Sequence, residues 1–199
     1  MTRANKIAGV DEVGRGCLAG PVFSAAVILN KNINTKDIKD SKKTSFKKRI
    51  ILSEYIKKNS TFAIGFATVK EIDRINILNA SLLSMQRALG KLKNNPSLVY
   101  IDGPFAPKNL KIKCKTVIKG DEKFKCIAAA SIVAKVARDL FMIKLAKKYT
   151  EYGWNKNFGY GTAYHLLALK KYGITQHHRK KFAPIHNMLM SIKRETQFS

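Results

Sequence analysis

The apolar positions of the chain alternate between strand-like and helix-like spacing. Residues 6–10 and 22–29 form two short apolar runs joined by a glycine-rich connection and predict a pair of strands. Phe46, Ile50, Ile51 and Tyr55 recur at helical spacing, predicting a helix over 45–58 with Thr44 or Ser45 as its N-cap. Residues 61–67 predict a strand. Residues 70–93 predict a mostly helical stretch with Ile72, Ile75, Leu78, Leu82, Met85 and Leu89 on one face, ended by Asn94-Asn95-Pro96. A short strand over 97–101 runs into Asp102-Gly103-Pro104. Over 110–118, Ile112, Cys114, Thr116 and Ile118 alternate with Lys111, Lys113 and Lys115, predicting a strand with one basic, solvated face. A long helix is expected over 125–149. Its first half is apolar nearly all round, as in a buried central helix. Thr162 is placed to cap a helix that runs to Tyr172 and stops at Gly173, and a short last helix is expected over 186–194. An early strand pair followed by alternating helices and strands indicates a mixed α/β sheet with helices on its faces.

Composition narrows the class. The chain has 199 residues, 38 Lys and Arg against 13 Asp and Glu, and a formal charge of +25. With 45% hydrophobic residues it holds enough apolar surface for a core, which argues against disorder. Three cysteines with no knuckle spacing give neither a disulfide framework nor a zinc site, and fit a cytoplasmic protein. No stretch reaches the ~18 apolar residues of a membrane span. The basic excess suggests a polyanion as partner. Codon composition offers a second source, since 30 of the basic residues are Lys. Placement favours binding: residues 31–58 hold ten Lys and Arg against three acids, 107–125 hold seven Lys against two, and 170–181 hold five with no acid. One domain over 1–199, with 160–199 as a small C-terminal helical part, and a monomer are the expectations.

The scarce acids carry more information. Most sit in polar surroundings and read as surface partners of Lys. Asp11 and Glu12 instead extend an apolar run, Asp102 ends a strand, and Asp121 precedes the apolar helix. Carboxylates beside a core are costly unless a cation pairs with them. Salt bridges to Lys and a shared divalent metal site both satisfy that requirement. With oxygen ligands alone, the second would select Mg²⁺ or Mn²⁺. A basic groove around such a cluster is what metal-dependent cleavage of nucleic acid requires.

After Glu12 the chain reads Val13-Gly14-Arg15-Gly16-Cys17-Leu18-Ala19-Gly20-Pro21. The glycines let backbone approach a ligand closely. By itself this GxG is as well read as a turn. Taken whole, residues 11–21 resemble the opening signature of bacterial ribonuclease HII. The resemblance continues through Asp40-Ser41-Lys42-Lys43, Tyr100-Ile101-Asp102-Gly103, Lys119-Gly120-Asp121, the run from Ile127 to Val136 followed by Arg138-Asp139, Gly159-Tyr160-Gly161-Thr162 with His165, and His178-Arg179 with Phe182 and Pro184. It implies a ribonuclease-H-like fold: a five-stranded mixed sheet flanked by helices, with a small C-terminal helical part. It also implies a hydrolase that cleaves the RNA strand of RNA–DNA hybrids and nicks on the 5′ side of single ribonucleotides in duplex DNA, leaving 3′-hydroxyl and 5′-phosphate ends.

By position, the resemblance assigns Asp11, Glu12, Asp102 and Asp121 to two divalent ions, Mn²⁺ or Mg²⁺. Gly14, Arg15 and Gly16 match the loop that contacts the 2′-hydroxyl, Tyr160 the tyrosine that packs on the following deoxy sugar, and Lys42 a phosphate contact. Residue by residue, blander roles stand beside these: Arg15 as a salt-bridge partner, Tyr160 as a core aromatic, Ser131 and Lys135 packed among helices, Asp139 paired with Arg138 or a nearby Lys, and the four histidines as packed residues or phosphate contacts. Cys126 and Lys181 depart from what the family pattern would lead one to expect. No sliding-clamp peptide is visible, and Asp11 lies too near the start for an N-terminal binding domain of the ribonuclease HIII kind.

Overall fold

The computed structural model describes residues 6–38 and 45–197. Lys42, its Asp40–Lys43 block and the alternative cap Thr44 lie outside the described residues.

Five strands form one mixed sheet in the order β3-β2-β1-β4-β5. β1 (Ile7–Val13) pairs antiparallel with β2 (Val22–Leu29), which pairs antiparallel with β3 (Ser60–Ala67). On its other side β1 runs parallel to β4 (Leu98–Asp102), and β4 runs parallel to β5 (Cys114–Val117). β5 is shorter than the alternation over 110–118 predicts. Thr116 and Ile118 face solvent, while Ile112 packs on the core from outside the strand.

One face of the sheet is covered by α2 (Val69–Gly90), whose Met85, Ala88 and Leu89 meet Ala8, Val10, Val99 and Ile101. Thr68 and Glu71 form a reciprocal capping box at its start. The helix is not continuous. Asn76 leaves helical geometry at φ 67°, and its side chain accepts the Asn79 N–H at 3.0 Å, so the residue caps a second segment. Its end also comes earlier than Asn94-Asn95-Pro96 suggests, at Gly90 with Lys91 as cap.

The other face carries α1 (Phe46–Lys58), capped by Ser45, and α4 (Lys125–Ala146), with the one-turn α3 (Gly120–Lys123) leading into it. Ala128, Ala129, Ile132 and Val133 are buried against Ala25 and Val27, which explains the all-round apolar character of the first half of α4. Gly9 makes this contact possible: a Cβ there would lie 2.1 Å from the Cys126 backbone. The C-terminal part, α5 (Trp154–Asn157), α6 (Ala163–Tyr172) and α7 (Ala183–Gln197), packs on the end of α4 through Trp154, Leu169 and Ile185 with Met142, Leu18 and Ala19. Among the described residues no helix is long and apolar enough to cross a membrane.

Candidate active site

The adjacent parallel strands β1 and β4 place two carboxylates side by side. Val10 is in register with Ile101, so Asp11 and Asp102 are the next residues along neighbouring strands. Alternation sends Val10 and Ile101 into the core under α2 and turns Asp11 and Asp102 toward α4. Asp11 is 6% exposed, accepts the Glu12 N–H at 2.7 Å, and is hydrogen-bonded by Ser131 of α4. Asp102 Oδ1 accepts the Gly120 N–H at 2.6 Å, which ties β4 to the turn that carries Asp121. Asp11, Glu12, Asp102 and Asp121 all line one cleft of about 470 Å³, together with Gly14, Arg15, Gly16, Arg49, Ser131, Lys135 and Tyr160. The acids and the glycine loop with its tyrosine therefore share one site.

Negative charge in this cleft is under-compensated. Burial, then the charges of Glu12 and Asp102, push the Asp11 carboxyl well above its ordinary range. Burial also raises Glu12, opposed by Arg15, whose Nη1 donates to Glu12 Oε1 at 3.1 Å. Glu12 Oε2 is buried with no hydrogen-bond partner. A divalent cation would supply what is missing: a partner for that oxygen and for the crowded charge. An oxygen-only donor set suits a hard ion. Among the described residues no three His, Cys, Asp or Glu side chains form a ready-made metal cage. As placed, Asp102 accepts from Gly120 and Glu12 from Arg15.

The basic wall opposite is supplied by α4 and α1. Lys135 bonds within the helical layer, as expected, while Ser131 bonds Asp11, and both also line the cleft. Asp139 bonds Lys135 Nζ at 2.7 Å and lies 3.6 Å from Arg49 Nη1, so its nearby Lys is the partner and Arg138 is not. Lys135 Nζ also sits 4.8 Å over the Phe158 ring.

The rim is built by the loop after β1 and the segment after α5. Gly14 has φ +94°, and a Cβ on it would meet Arg138 Nε at 2.1 Å; Gly16 has neither constraint, with open space around its Cβ position. Tyr160, 40% exposed, is no core aromatic and stands in the cleft wall. Its carbonyl faces His165 Nδ1 at 2.8 Å. His165 Nε2 lies 3.1 Å from both Trp154 Nε1 and His178 Nε2. The Thr175 N–H donates to His178 Nδ1 at 2.9 Å, so the His178 proton is on Nε2 and donates to His165. His165 and His178 are thus packed and neutral. Arg138 and Arg179, noted in the sequence only as parts of motifs, both lie buried beneath this rim.

The chain as a whole is similar to known proteins. The family model described as Ribonuclease HII matches residues 8–185. The chain belongs to the ribonuclease HII family. It is 58% identical over 183 residues to the ribonuclease HII of Pelagibacter ubique, covering 92% of this chain and 98% of that one. Among solved structures, the ribonuclease H2 of Pyrococcus horikoshii OT3 superposes with TM-score 0.79 at 29% identity, covering 94% of this chain and 99% of the other. A Bst-RNase HIII in complex with Mn²⁺ shares the fold, with TM-score 0.73 at 18% identity, 95% of this chain and 70% of that one. As a ribonuclease HII the chain is an endoribonuclease, and the four carboxylates stand at the C-terminal ends of the central parallel strands and in the turn beside them.

Proposed function

We propose that this chain is a divalent-metal-dependent endonuclease that cleaves the RNA strand of RNA–DNA hybrids. It also nicks on the 5′ side of a single ribonucleotide in duplex DNA, leaving a 3′-hydroxyl and a 5′-phosphate. One observation carries the reading: four carboxylates share a cleft with a glycine loop and an exposed tyrosine on its rim. The carboxylates would hold Mn²⁺ or Mg²⁺, which when bound activate water and stabilise the leaving oxygen. The chain's own residues supply recognition. Gly16 leaves room for a sugar against the loop backbone, whose polar groups can read the 2′-hydroxyl. The Tyr160 ring would pack on the next sugar, where a deoxyribose fits and a ribose clashes, so that a ribonucleotide followed by DNA sits in register with the carboxylates. Arg49 and Lys135, with Asp139 between them, present positive charge to the backbone. Lys42 belongs to this reading as a phosphate contact. The chain works as one catalytic domain, with 160–199 as the part that bears Tyr160.

The test is a duplex DNA containing one ribonucleotide, incubated with the protein and Mn²⁺ or Mg²⁺ beside all-RNA and all-DNA duplexes. A single 5′-side nick in the first substrate alone is expected. Binding of the hybrid with no nick would reduce the protein to a binding module.

A further inference from the structure

Two arginines outside the cleft hold most of its rim. Arg138 and Arg179 are fully buried, at 0% exposure, and among the described residues their side-chain hydrogen bonds all go to main-chain carbonyls. Arg179 donates from Nη2 to Gly14 at 2.6 Å, from Nη1 to Arg15 at 2.8 Å and from Nε to Gly20 at 2.9 Å. Arg138 donates to Pro21 at 3.0 Å, Ala19 at 3.1 Å and Phe158 at 2.9 Å. Among the described residues neither forms a salt bridge. Asp139 and Asp73 act on them only through their charge, without direct contact, and a buried guanidinium without a directly paired carboxylate is costly and persists where a specific geometry needs it.

The carbonyls they fix belong to the two halves of the recognition rim. Phe158 is held at φ 50°, rare for a side chain with a Cβ, two residues before Tyr160. The backbone joins the halves directly: Leu18 N–H donates to Gly159 O at 2.8 Å, Gly20 N–H to His177 O at 2.9 Å and Arg179 N–H to Leu18 O at 2.8 Å. The loop carbonyls are turned inward onto the guanidiniums, which ties the loop to the core at Gly14, Arg15, Ala19, Gly20 and Pro21.

Resting on the function proposed above, we infer that Arg179 and Arg138 are positioning residues for ribonucleotide recognition: their paired forks lock residues 14–21 to residues 158–160, so that the 2′-hydroxyl loop and Tyr160 reach the substrate as one rigid unit. Neither arginine touches the substrate. The planar fork is the working feature, and a lysine retains the charge but not the geometry.

The experiment compares Arg179→Lys and Arg138→Lys with Leu169→Ala, a buried change in the apolar cluster that includes Leu18 and Ala19 but supplies no hydrogen bond to the loop carbonyls. Three quantities are read: the melting temperature, hydrogen exchange of the Leu18, Ala19 and Gly20 amides, and kcat/KM on the single-ribonucleotide duplex. Each lysine variant is expected to speed loop exchange and lower kcat/KM by about tenfold or more, mainly in kcat, since small misplacements are expensive. Arg179→Lys combined with Gly16→Ala should lose little more than the larger single loss, because both act through one loop. Leu169→Ala should melt earlier with loop exchange and kcat unchanged.

Unchanged loop exchange in the folded lysine variants, multiplicative losses, or the same kcat loss in Leu169→Ala would overturn the inference. So would failure of both lysine variants to fold, which would assign the arginines to stability alone. A wild-type chain that does not cut the single-ribonucleotide duplex would instead sink the functional reading, while the exchange comparison would still decide whether the arginines hold the loop.

Discussion

At the scale of single residues, the site separates groups that the fold needs from groups that only a substrate needs. Gly14 and Gly16 look alike in sequence. Gly14 is demanded by its backbone and by Arg138, whereas an alanine at 16 meets nothing within 4 Å. Gly16→Ala should therefore leave stability unchanged or raise it by up to about 1 kcal/mol through the unfolded state. The same change should weaken discrimination of ribose from deoxyribose more than it weakens duplex affinity. Melting and paired cleavage assays check this; equal loss on both substrates would leave the loop as a turn. Asp102→Asn is a complementary case. The amide oxygen can still accept the Gly120 N–H, so the fold and the basic wall persist. The proposed metal site loses a charged ligand, and cleavage should fall by on the order of 10³-fold with hybrid binding retained. Turnover near wild type would remove Asp102 from the mechanism.

Elements add a constraint that no single residue shows. The C-terminal part is pinned by two neutral imidazoles in contact, His165 and His178, beside Trp154. Burial, with His165 adjacent, lowers His178 to about 3, and burial lowers His165 as well. Both folded values lie below the ordinary value near 6.5, so the unfolded chain takes up protons first. The stability they provide is complete above pH 6.5 and is lost as pH falls toward 3. For His178 alone the loss between pH 6.5 and 5 is about 2 kcal/mol. Denaturant melts across that range should show it, and His178→Phe should flatten the curve.

Sequence pattern reaches some of these elements and not others. Strands β1 to β4, α1, α4 and the exact span of α6 follow from periodicity and caps, because local pattern sets them. The β5 alternation misleads, since an edge strand with Lys at every second position carries little burial to enforce it. The carboxylates were readable because an acid inside an apolar run is anomalous by itself. Arg138 and Arg179 were not, because their partners are carbonyls, all but Phe158 more than a hundred residues away, and a carbonyl leaves no mark in sequence. Asp139 is an intermediate case. Lys135, four residues earlier on α4, shares its face, while the adjacent Arg138 points elsewhere.

For the whole molecule the open question is how the +25 charge divides between substrate binding and bulk composition. Structure gives a way to divide it. The carboxylate cleft lies at the C-terminal ends of β1 and β4, with Lys119 and Lys123 exposed on either side of Asp121 in the adjoining turn. Lys6 and Lys93 are exposed at the opposite ends of the same strands, where the Ser97 N–H meets Lys6 O. Cations that touch phosphates release counterions, so log K falls against log salt with a slope of about −0.9 per contact, and those elsewhere add almost nothing to the slope. A duplex-binding surface of ordinary size makes about 6–10 such contacts, far fewer than 38 basic residues could offer. Lys119→Gln with Lys123→Gln should flatten the salt slope of hybrid binding by about 2 and weaken affinity at low salt. Lys6→Gln with Lys93→Gln removes the same charge and should leave the slope unchanged. Equal effects from the two pairs would mean that the charge acts as a diffuse field, and that its placement around the cleft has no special part in holding the duplex.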